Sequence, residues 1–180
     1  MNQMATNISR GFIDQSRTLL TDSYLPRIER AIEGLSVEKV WWRANPESNS
    51  IGNLILHLNG NVRQWIVSGL GGGKDIRERE KEFDAQSGMN GAELLQRLRD
   101  TIDAADRVLA SIDVSTLLER RRIQSYDVTV IQAIYAVVEH FSMHTGQIIL
   151  LSKMFKGDLR LYDVSGGTPH PTWKGGAAGH

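Results

Sequence analysis

The sequence contains no cysteine. Disulfide bonds, iron–sulfur clusters, thiolate zinc sites and a cysteine nucleophile are therefore all excluded. A metal ion in this protein would have to be held by nitrogen and oxygen ligands, because no thiolate sulfur is available. A reaction that involves a thiol would need that thiol to arrive with a second substrate.

The sequence also lacks an excess of charge of either sign. Lys plus Arg and Asp plus Glu both number 21, so the formal net charge is zero. A nucleic-acid-binding protein generally carries a basic excess on one face, and the short cluster at 120–122 is better interpreted as a solvated turn. We therefore expect no nucleic-acid partner.

Long apolar runs are missing as well. No uninterrupted run approaches the roughly 20 residues of a membrane-spanning helix. The start of the chain, up to Arg10, has no apolar core of the kind found in signal peptides. From these two features we expect a cytoplasmic protein with no membrane partner.

Amphipathic periodicity predicts four principal helices in one domain. Their approximate ranges are 7–34, 50–68, 90–112 and 128–155. The strand signal is weak throughout, with one short extended piece expected at 123–126. The sequence therefore predicts an all-α protein, a four-helix bundle over 1–157 followed by an irregular Gly/Pro-rich tail over 158–180.

Local signals place the ends and interruptions of these helices. Pro26 falls inside the first helix and is expected to kink or restart it, because proline breaks the hydrogen-bond ladder. Asn49 or Ser50 is expected to cap the second helix, and Asn90 the third. The charge-dense segment 74–86 is expected to be an exposed crossover. The pair Trp41–Trp42 is expected to pack as a wall or lid.

A pair of histidines stands out in the fourth predicted helix. His140 and His144 are four residues apart, so they project from the same face, and His144 falls within the apolar seam. An apolar interior penalises unpaired polar groups. The residues alone leave two interpretations open: core histidines satisfied by hydrogen bonds, or two ligands of a metal ion that a third residue completes.

Three further histidines are candidates for that third ligand. His57 lies in the middle of the second predicted helix, at the edge of its apolar stripe. A bundle that packs the second helix against the fourth can therefore bring His57 to the pair. His170 is expected to be a surface residue of the tail, and His180, the last residue, is expected to be disordered.

Three stretches of the sequence carry a family likeness. They are Pro26–Ser36 at the end of the first helix, Trp-Trp-Arg…Asn-Pro-Glu-Ser-Asn-Ser-Ile-Gly-Asn at 41–53 with His57 after it, and His-x₃-His-x-Gly-Gln at 140–147. Together they resemble the DinB-like (YfiT-like) superfamily of metal-dependent proteins. The resemblance extends over residues 8–155, most of the chain.

The resemblance implies a four-helix bundle in an up-down-down-up order, with a divalent ion, zinc or nickel, held by His57, His140 and His144. It also implies a homodimer. Members of the superfamily transfer low-molecular-weight thiols, or isomerise or hydrolyse substrates at the metal. The favoured hypothesis is transfer of such a thiol to an electrophilic small molecule. The alternatives are a metal-dependent hydrolase and a non-catalytic, metal-binding stress-response bundle.

Three imidazoles would leave at least one coordination position open, which is typical of catalytic and not of structural sites. Each ligand histidine normally donates its second N–H to an oxygen atom. The candidate partners are Asn53, Asn61, Glu139 and Gln147. No general base is evident, so the sequence assigns no catalytic residue and leaves the enzymatic role undecided.

Overall fold

The computed structural model describes residues 3–173, which are mostly helical. The α-helices are α1 (Gln3–Thr18), α2 (Leu25–Ile32), α3 (Val37–Trp41), α4 (Ile51–Val62), α5 (Arg79–Asp84), α6 (Gly91–Ser111) and α7 (Val130–Phe155). Two π-helical segments, Leu19–Tyr24 and Arg63–Ser68, and a 3₁₀ turn, Val114–Thr116, extend or connect them. The strands are β1 (Arg120–Ile123), β2 (Tyr126–Thr129), β3 (Tyr162–Asp163) and β4 (His170–Pro171).

The local signals in the sequence act where they were expected. Pro26 lies in the first turn of α2, just after a π-helical segment, where its missing N–H leaves no intrahelical bond unmade. Ser50 caps α4 by accepting a hydrogen bond from the backbone N–H of Asn53. Asn90 and Glu93 form the capping box that begins α6.

Helix α4 is the centre of the packing, because it contacts α5, α6 and α7. Its side chains are buried on almost every face. The fully buried large side chains around it come from all the long helices and include Ile13, Ile28, Ile55, Leu58, Leu98, Ile102, Leu109, Phe141 and Ile148. This packing sets α4 directly against α7, so His57 faces the helix that carries His140 and His144.

The all-α prediction needs one correction, since the chain also forms small antiparallel sheets. Strands β1 and β2 pair from Arg120↔Thr129 to Ile123↔Tyr126. The turn between them places Gln124 at a φ of 56°, in the left-handed region. The three consecutive arginines of β1 were interpreted as a solvated turn, and the pairing with β2 makes this segment a strand.

Most of segment 74–86 is exposed, as expected for a crossover, but two of its charged side chains are not. This segment contains α5, and Glu82 is only 8% exposed. The side chain of Arg77 is also buried, at 5% exposure. Opposite charges that pair with each other can be buried where single charges cannot, so a charge-dense segment need not lie in solvent.

The end of the described chain returns to the body of the protein. Strands β3 and β4 pair through Asp163↔His170. The indole N–H of Trp173 donates to the backbone carbonyl of Asp22, and the guanidinium of Arg27 lies 4.7 Å from the Trp173 ring centroid. His180 lies outside the described residues. Within residues 3–173, no helix is long and apolar enough to span a membrane.

Candidate metal centre

The three histidines singled out by the sequence meet between α4 and α7. The Nε2 atom of His140 lies 3.0 Å from Nε2 of His57 and 3.1 Å from Nε2 of His144. One ligand atom from each of the three rings lies within 4.8 Å of the others, an arrangement compatible with a metal site. His57 and His144 are buried, at 6% and 9% exposure.

Hydrogen bonding alone does not account for this cluster. A neutral imidazole nitrogen carries either one proton or one lone pair in the ring plane. Nε2 of His140 therefore has one such position to offer, yet it approaches two ring nitrogens at hydrogen-bond distance. One close nitrogen–nitrogen contact is left without a bridging proton. A cation between the three lone pairs would satisfy all of them at once.

The Nδ1 atoms of His57 and His144, on the ring side opposite Nε2, lie within hydrogen-bond distance of oxygen acceptors. Nδ1 of His57 lies 3.0 Å from Oε2 of Glu82, and Nδ1 of His144 lies 2.6 Å from Oε1 of Gln147. Donation from Nδ1–H to these oxygens leaves each Nε2 with its lone pair directed into the cluster. Nδ1 of His140 is buried and has no hydrogen-bond partner among the described residues.

The carboxylate of Glu82 is held in place by Arg77. Nε and Nη2 of Arg77 donate to the two carboxylate oxygens, each at 2.8 Å. Burial raises the pKa of the Glu82 carboxyl, but hydrogen bonds from Arg77 and His57 outweigh it and hold the pKa below its usual value. Glu82 is therefore ionised at neutral pH, and its carboxylate accepts a hydrogen bond from Nδ1–H of His57.

Gly60 makes room for this carboxylate. It lies in α4 one turn after His57, and a Cβ atom built on it would come within 1.9 Å of Oε1 of Glu82 and 2.9 Å of Nε of Arg77. No side chain larger than hydrogen fits there unless the ion pair moves. A glycine inside a helix is otherwise unfavourable by about 1 kcal/mol relative to alanine.

Arg77 connects the site to a wider polar network. Its Nη1 donates to Oε1 of Gln64 at 2.9 Å, and the amide of Gln64 donates to Asp75 at 2.7 Å. The amide of Gln124, in the β1–β2 turn, also donates to Oε1 of Gln64. The hairpin thus helps to fix Arg77, and Arg77 fixes Glu82.

The environment favours the neutral form of the two imidazoles on α7. Burial, reinforced by the neighbouring His144 and His57 rings, lowers the pKa of His140 to about 4. Burial also lowers the pKa of His144, although the hydrogen bond to Gln147 opposes this change. Neutral imidazole is the form that binds metal, so His140 and His144 are ready to act as ligands at neutral pH.

The other candidate residues take different places. The amide of Asn53 donates to the backbone carbonyls of residues 82 and 85, which anchors the crossover beside His57 but does not contact its ring. Glu139 and His170 are exposed, and no contact joins either to the cluster. Oδ1 of Asn61 is buried without a partner in the part of the chain that the structure describes.

Sequence reasoning missed Arg77, Glu82 and the role of Gly60. The first two lie in a segment whose composition is typical of solvent-exposed loops. One signal did point to the site, namely the glycine in the middle of an otherwise apolar helix, one turn beyond His57. A glycine at such a position can mark the close approach of another group.

Comparison with known proteins agrees with this structure. A family model described as a protein of unknown function (DUF1572) matches residues 7–163. The chain belongs to this family. DUF1572 is a DinB-like family, so the resemblance seen in the sequence is confirmed. No curated protein matches the chain.

A solved structure supports the same fold. The DUF1572 chain is similar to the crystal structure of a DinB-like protein from Bacillus cereus ATCC 10987, with a TM-score of 0.64. The sequences are 17% identical, and the match covers 79% of this chain and 90% of the other. At this identity the likeness shows a shared DinB-like fold and no shared activity.

The close approach at Gly60 can be tested by a matched pair of substitutions. We expect Gly60→Ala to destabilise the protein by about 2 kcal/mol, because the methyl group displaces a buried ion pair. Gly146→Ala in α7 is the control, since a Cβ there meets nothing within 4 Å. It should stabilise by about 0.5–1 kcal/mol through helix propensity. Urea unfolding measures the free energy of unfolding of both variants. Equal stabilisation in the two would show that the Glu82 carboxylate does not pack against Gly60.

Proposed function

We propose that His57, His140 and His144 bind one divalent metal ion and that the protein is a metal-dependent enzyme. The observation that carries the proposal is the convergence of three Nε2 atoms at 3.0 and 3.1 Å. Ligands of a tetrahedral zinc ion at about 2.0–2.1 Å from the metal are about 3.3 Å apart. Only a small outward movement of the rings would be needed to admit the ion.

Zinc and nickel are the leading candidates for the ion. Imidazole nitrogen suits zinc, copper, iron and nickel, whereas calcium and magnesium prefer oxygen ligands. The cluster offers imidazoles from three histidines and, within the described residues, no carboxylate belongs to it. The oxygens of Glu82 are engaged by Arg77 and His57. The donor set therefore fits a transition metal or zinc better than a hard cation.

An incomplete set of protein ligands favours catalysis. Structural zinc sites usually have four protein ligands, whereas catalytic sites have three and keep a position for water or substrate. When bound, the ion supplies Lewis acidity, which favours the ionised form of a thiol or of water at neutral pH. This chemistry is available to either a transferase or a hydrolase.

The chain's own residues orient the ligands. Glu82 holds the His57 proton on Nδ1, and Gln147 does the same for His144, so the opposite nitrogens stay free of protons. Arg77 offsets the cost of burying the Glu82 carboxylate. Asn53 ties the backbone of the crossover to α4 and so maintains the position of Glu82.

The proposed reaction is transfer of a low-molecular-weight thiol to an electrophilic substrate. It is supported by the resemblance to the DinB-like superfamily together with the site compatible with metal. Because the chain has no cysteine, the thiol would be a cosubstrate. Metal-dependent hydrolysis is the alternative within the same site, since an ion with an open position can also activate water.

The proposal also covers the organisation of the protein. We infer a bundle over 1–157 whose four long helical segments follow an up-down-down-up order, with the tail over 158–180, and a cytoplasmic homodimer. Exposed apolar side chains on α7 support the dimer: Tyr135 and Leu150 are each 64% exposed and Met154 is 59% exposed. Such side chains on one helix are candidates for a protein–protein contact.

A non-catalytic role in metal binding is a second candidate, and one observation favours it. None of the three histidines lines the cavity of ≈ 340 Å³ beside α4 or the cavity of ≈ 370 Å³ beside α7. Access to the cluster would then run past the partly exposed His140 and not through either of these cavities. A metal that only joined α4 to α7 would not need such access.

Metal content tests the site itself. We expect the purified protein to contain about one zinc or nickel ion per chain. His57→Ala, His140→Ala and His144→Ala should each lower the metal content severalfold, because two imidazoles hold an ion far less tightly than three. His170→Ala is the control, since His170 is exposed and outside the cluster. Elemental analysis measures all four, and equal metal content in every variant would rule out the site.

The role of Glu82 is tested by metal affinity. We expect Glu82→Gln to weaken metal binding by about tenfold to a hundredfold, the usual effect of losing the carboxylate behind a ligand histidine. Glu78→Gln in the same crossover is the control, because Glu78 is exposed and its one ion pair within residues 3–173 is with Lys81. Competition with a chromophoric chelator gives both affinities. Unchanged affinity in Glu82→Gln would show that the carboxylate does not act on His57.

The reaction is tested with a fluorogenic electrophile, such as a chlorobimane, and a panel of small thiols. We expect metal-loaded protein to accelerate the conjugation, and metal-stripped protein and His144→Ala to leave it at the uncatalysed rate. An activated ester offered to the same preparations tests hydrolysis. Ester cleavage without conjugation would replace thiol transfer by the hydrolase alternative. Turnover of neither, with metal still bound, would favour the non-catalytic role.

A further inference from the structure

A cavity of ≈ 340 Å³ lies beside the candidate metal centre and is distinct from it. Its walls come from α4, from the beginning of α6 and from the crossover at 74–85. Arg77 and Glu82 line the cavity, whereas the three histidines do not. The two sites therefore share one buried ion pair as a common wall. Nothing proposed above for the histidines uses this cavity.

The acidic side chains that line this cavity are all engaged. The carboxylate of Asp75 accepts from the amide of Gln64 at 2.7 Å. Both oxygens of Glu82 accept from Arg77. Glu78 pairs with Lys81 at 2.7 Å. Asp75 is the one carboxylate here whose partners are neutral donors, and the five basic and three acidic side chains of the lining leave two positive charges in excess.

Three cations on the same wall have no partner. Arg63, Lys74 and Arg97 make no hydrogen bond or ion pair with any other side chain within residues 3–173. They come from three separate parts of the chain, the π-helical segment after α4, the crossover and α6. All three are exposed, and like charges that line one cavity repel one another. A bound anion would turn that repulsion into attraction.

Part of the remaining wall is apolar. Leu56 and Met89 are partly buried against the core, and both line the cavity. Ile76 also lines it and is 66% exposed, an unusual position for a large apolar side chain flanked by charged residues. A ligand that covered Ile76 would remove this apolar surface from water.

We infer that this cavity binds a small organic anion that carries an apolar body. The three unpaired cations would hold the anionic group, and Leu56, Ile76 and Met89 would contact the body. The volume lies at the lower end of the range of about 300–1,000 Å³ that is typical of small-molecule sites. The combination of a few charged groups with apolar walls is the usual composition of such sites.

The dye anilinonaphthalene sulfonate is a suitable probe, because it joins an anionic group to an apolar body. Fluorescence titration at low salt should give saturable binding with one site per chain. Arg97→Gln should weaken the binding about fivefold, and the triple variant Arg63→Gln, Lys74→Gln, Arg97→Gln at least about thirtyfold. Ile76→Ser should weaken it about threefold through lost apolar contact.

Arg107→Gln is the matched control, because Arg107 is exposed on the same helix α6, does not line the cavity and likewise has no partner among the described residues. Its affinity for the dye should stay within about twofold of the unsubstituted protein. The uncharged parent compound, phenylnaphthylamine, should bind at least about tenfold more weakly than the dye. Thermal unfolding of each variant verifies that the fold is intact.

The proposal is overturned if the dye does not bind, if the triple variant binds it as well as Arg107→Gln does, or if the uncharged compound binds equally well. The titration is repeated on His144→Ala in the presence of a chelator. Binding of the dye there should be unchanged, because the cavity and the histidines are separate sites. Failure of the metal site and failure of the cavity are thus observed independently.

Discussion

The contact between Glu82 and His57 is the interaction on which the candidate site depends. The Glu82 carboxylate accepts a hydrogen bond from Nδ1–H of His57 and so favours the tautomer with the proton on Nδ1. Nε2 then directs its lone pair toward His140 and His144 on α7. A buried carboxylate is unfavourable unless it is paired, and Arg77 supplies the partner with two hydrogen bonds. Gly60 leaves the space in which the carboxylate lies. An apparently minor feature, one glycine in a helix, thereby determines the direction of a ligand atom.

Much of the fold was predictable because its causes are local in the sequence. The apolar periodicity of α6 and α7, the cap at Ser50 and the capping box at Asn90 each act over a few residues, and each was found where expected. The three histidines were also predictable, because their helical positions face the core and a DinB-like family likeness joins them. Their convergence between α4 and α7 then follows from how the helices pack.

The rest of the site was not predictable because its causes are not local. Arg77 and Glu82 belong to a segment rich in charge, and composition alone assigns such a segment to solvent. They are buried because they pair with each other and because Glu82 also accepts from His57, which precedes it by 25 residues. Strand β1 was missed for a similar reason. Its three consecutive arginines do not indicate a strand, and the segment becomes one through its pairing with β2.

The chain is a DUF1572 protein with a DinB-like fold, and its proposed chemistry rests on the histidine cluster. X-ray absorption at the metal edge of protein loaded with one equivalent of zinc or nickel addresses that cluster most directly. The account predicts three imidazole nitrogens at about 2.0–2.1 Å and at least one exchangeable oxygen ligand from solvent. A first shell made of oxygen atoms alone, without the outer-shell scattering of imidazole rings, would contradict it.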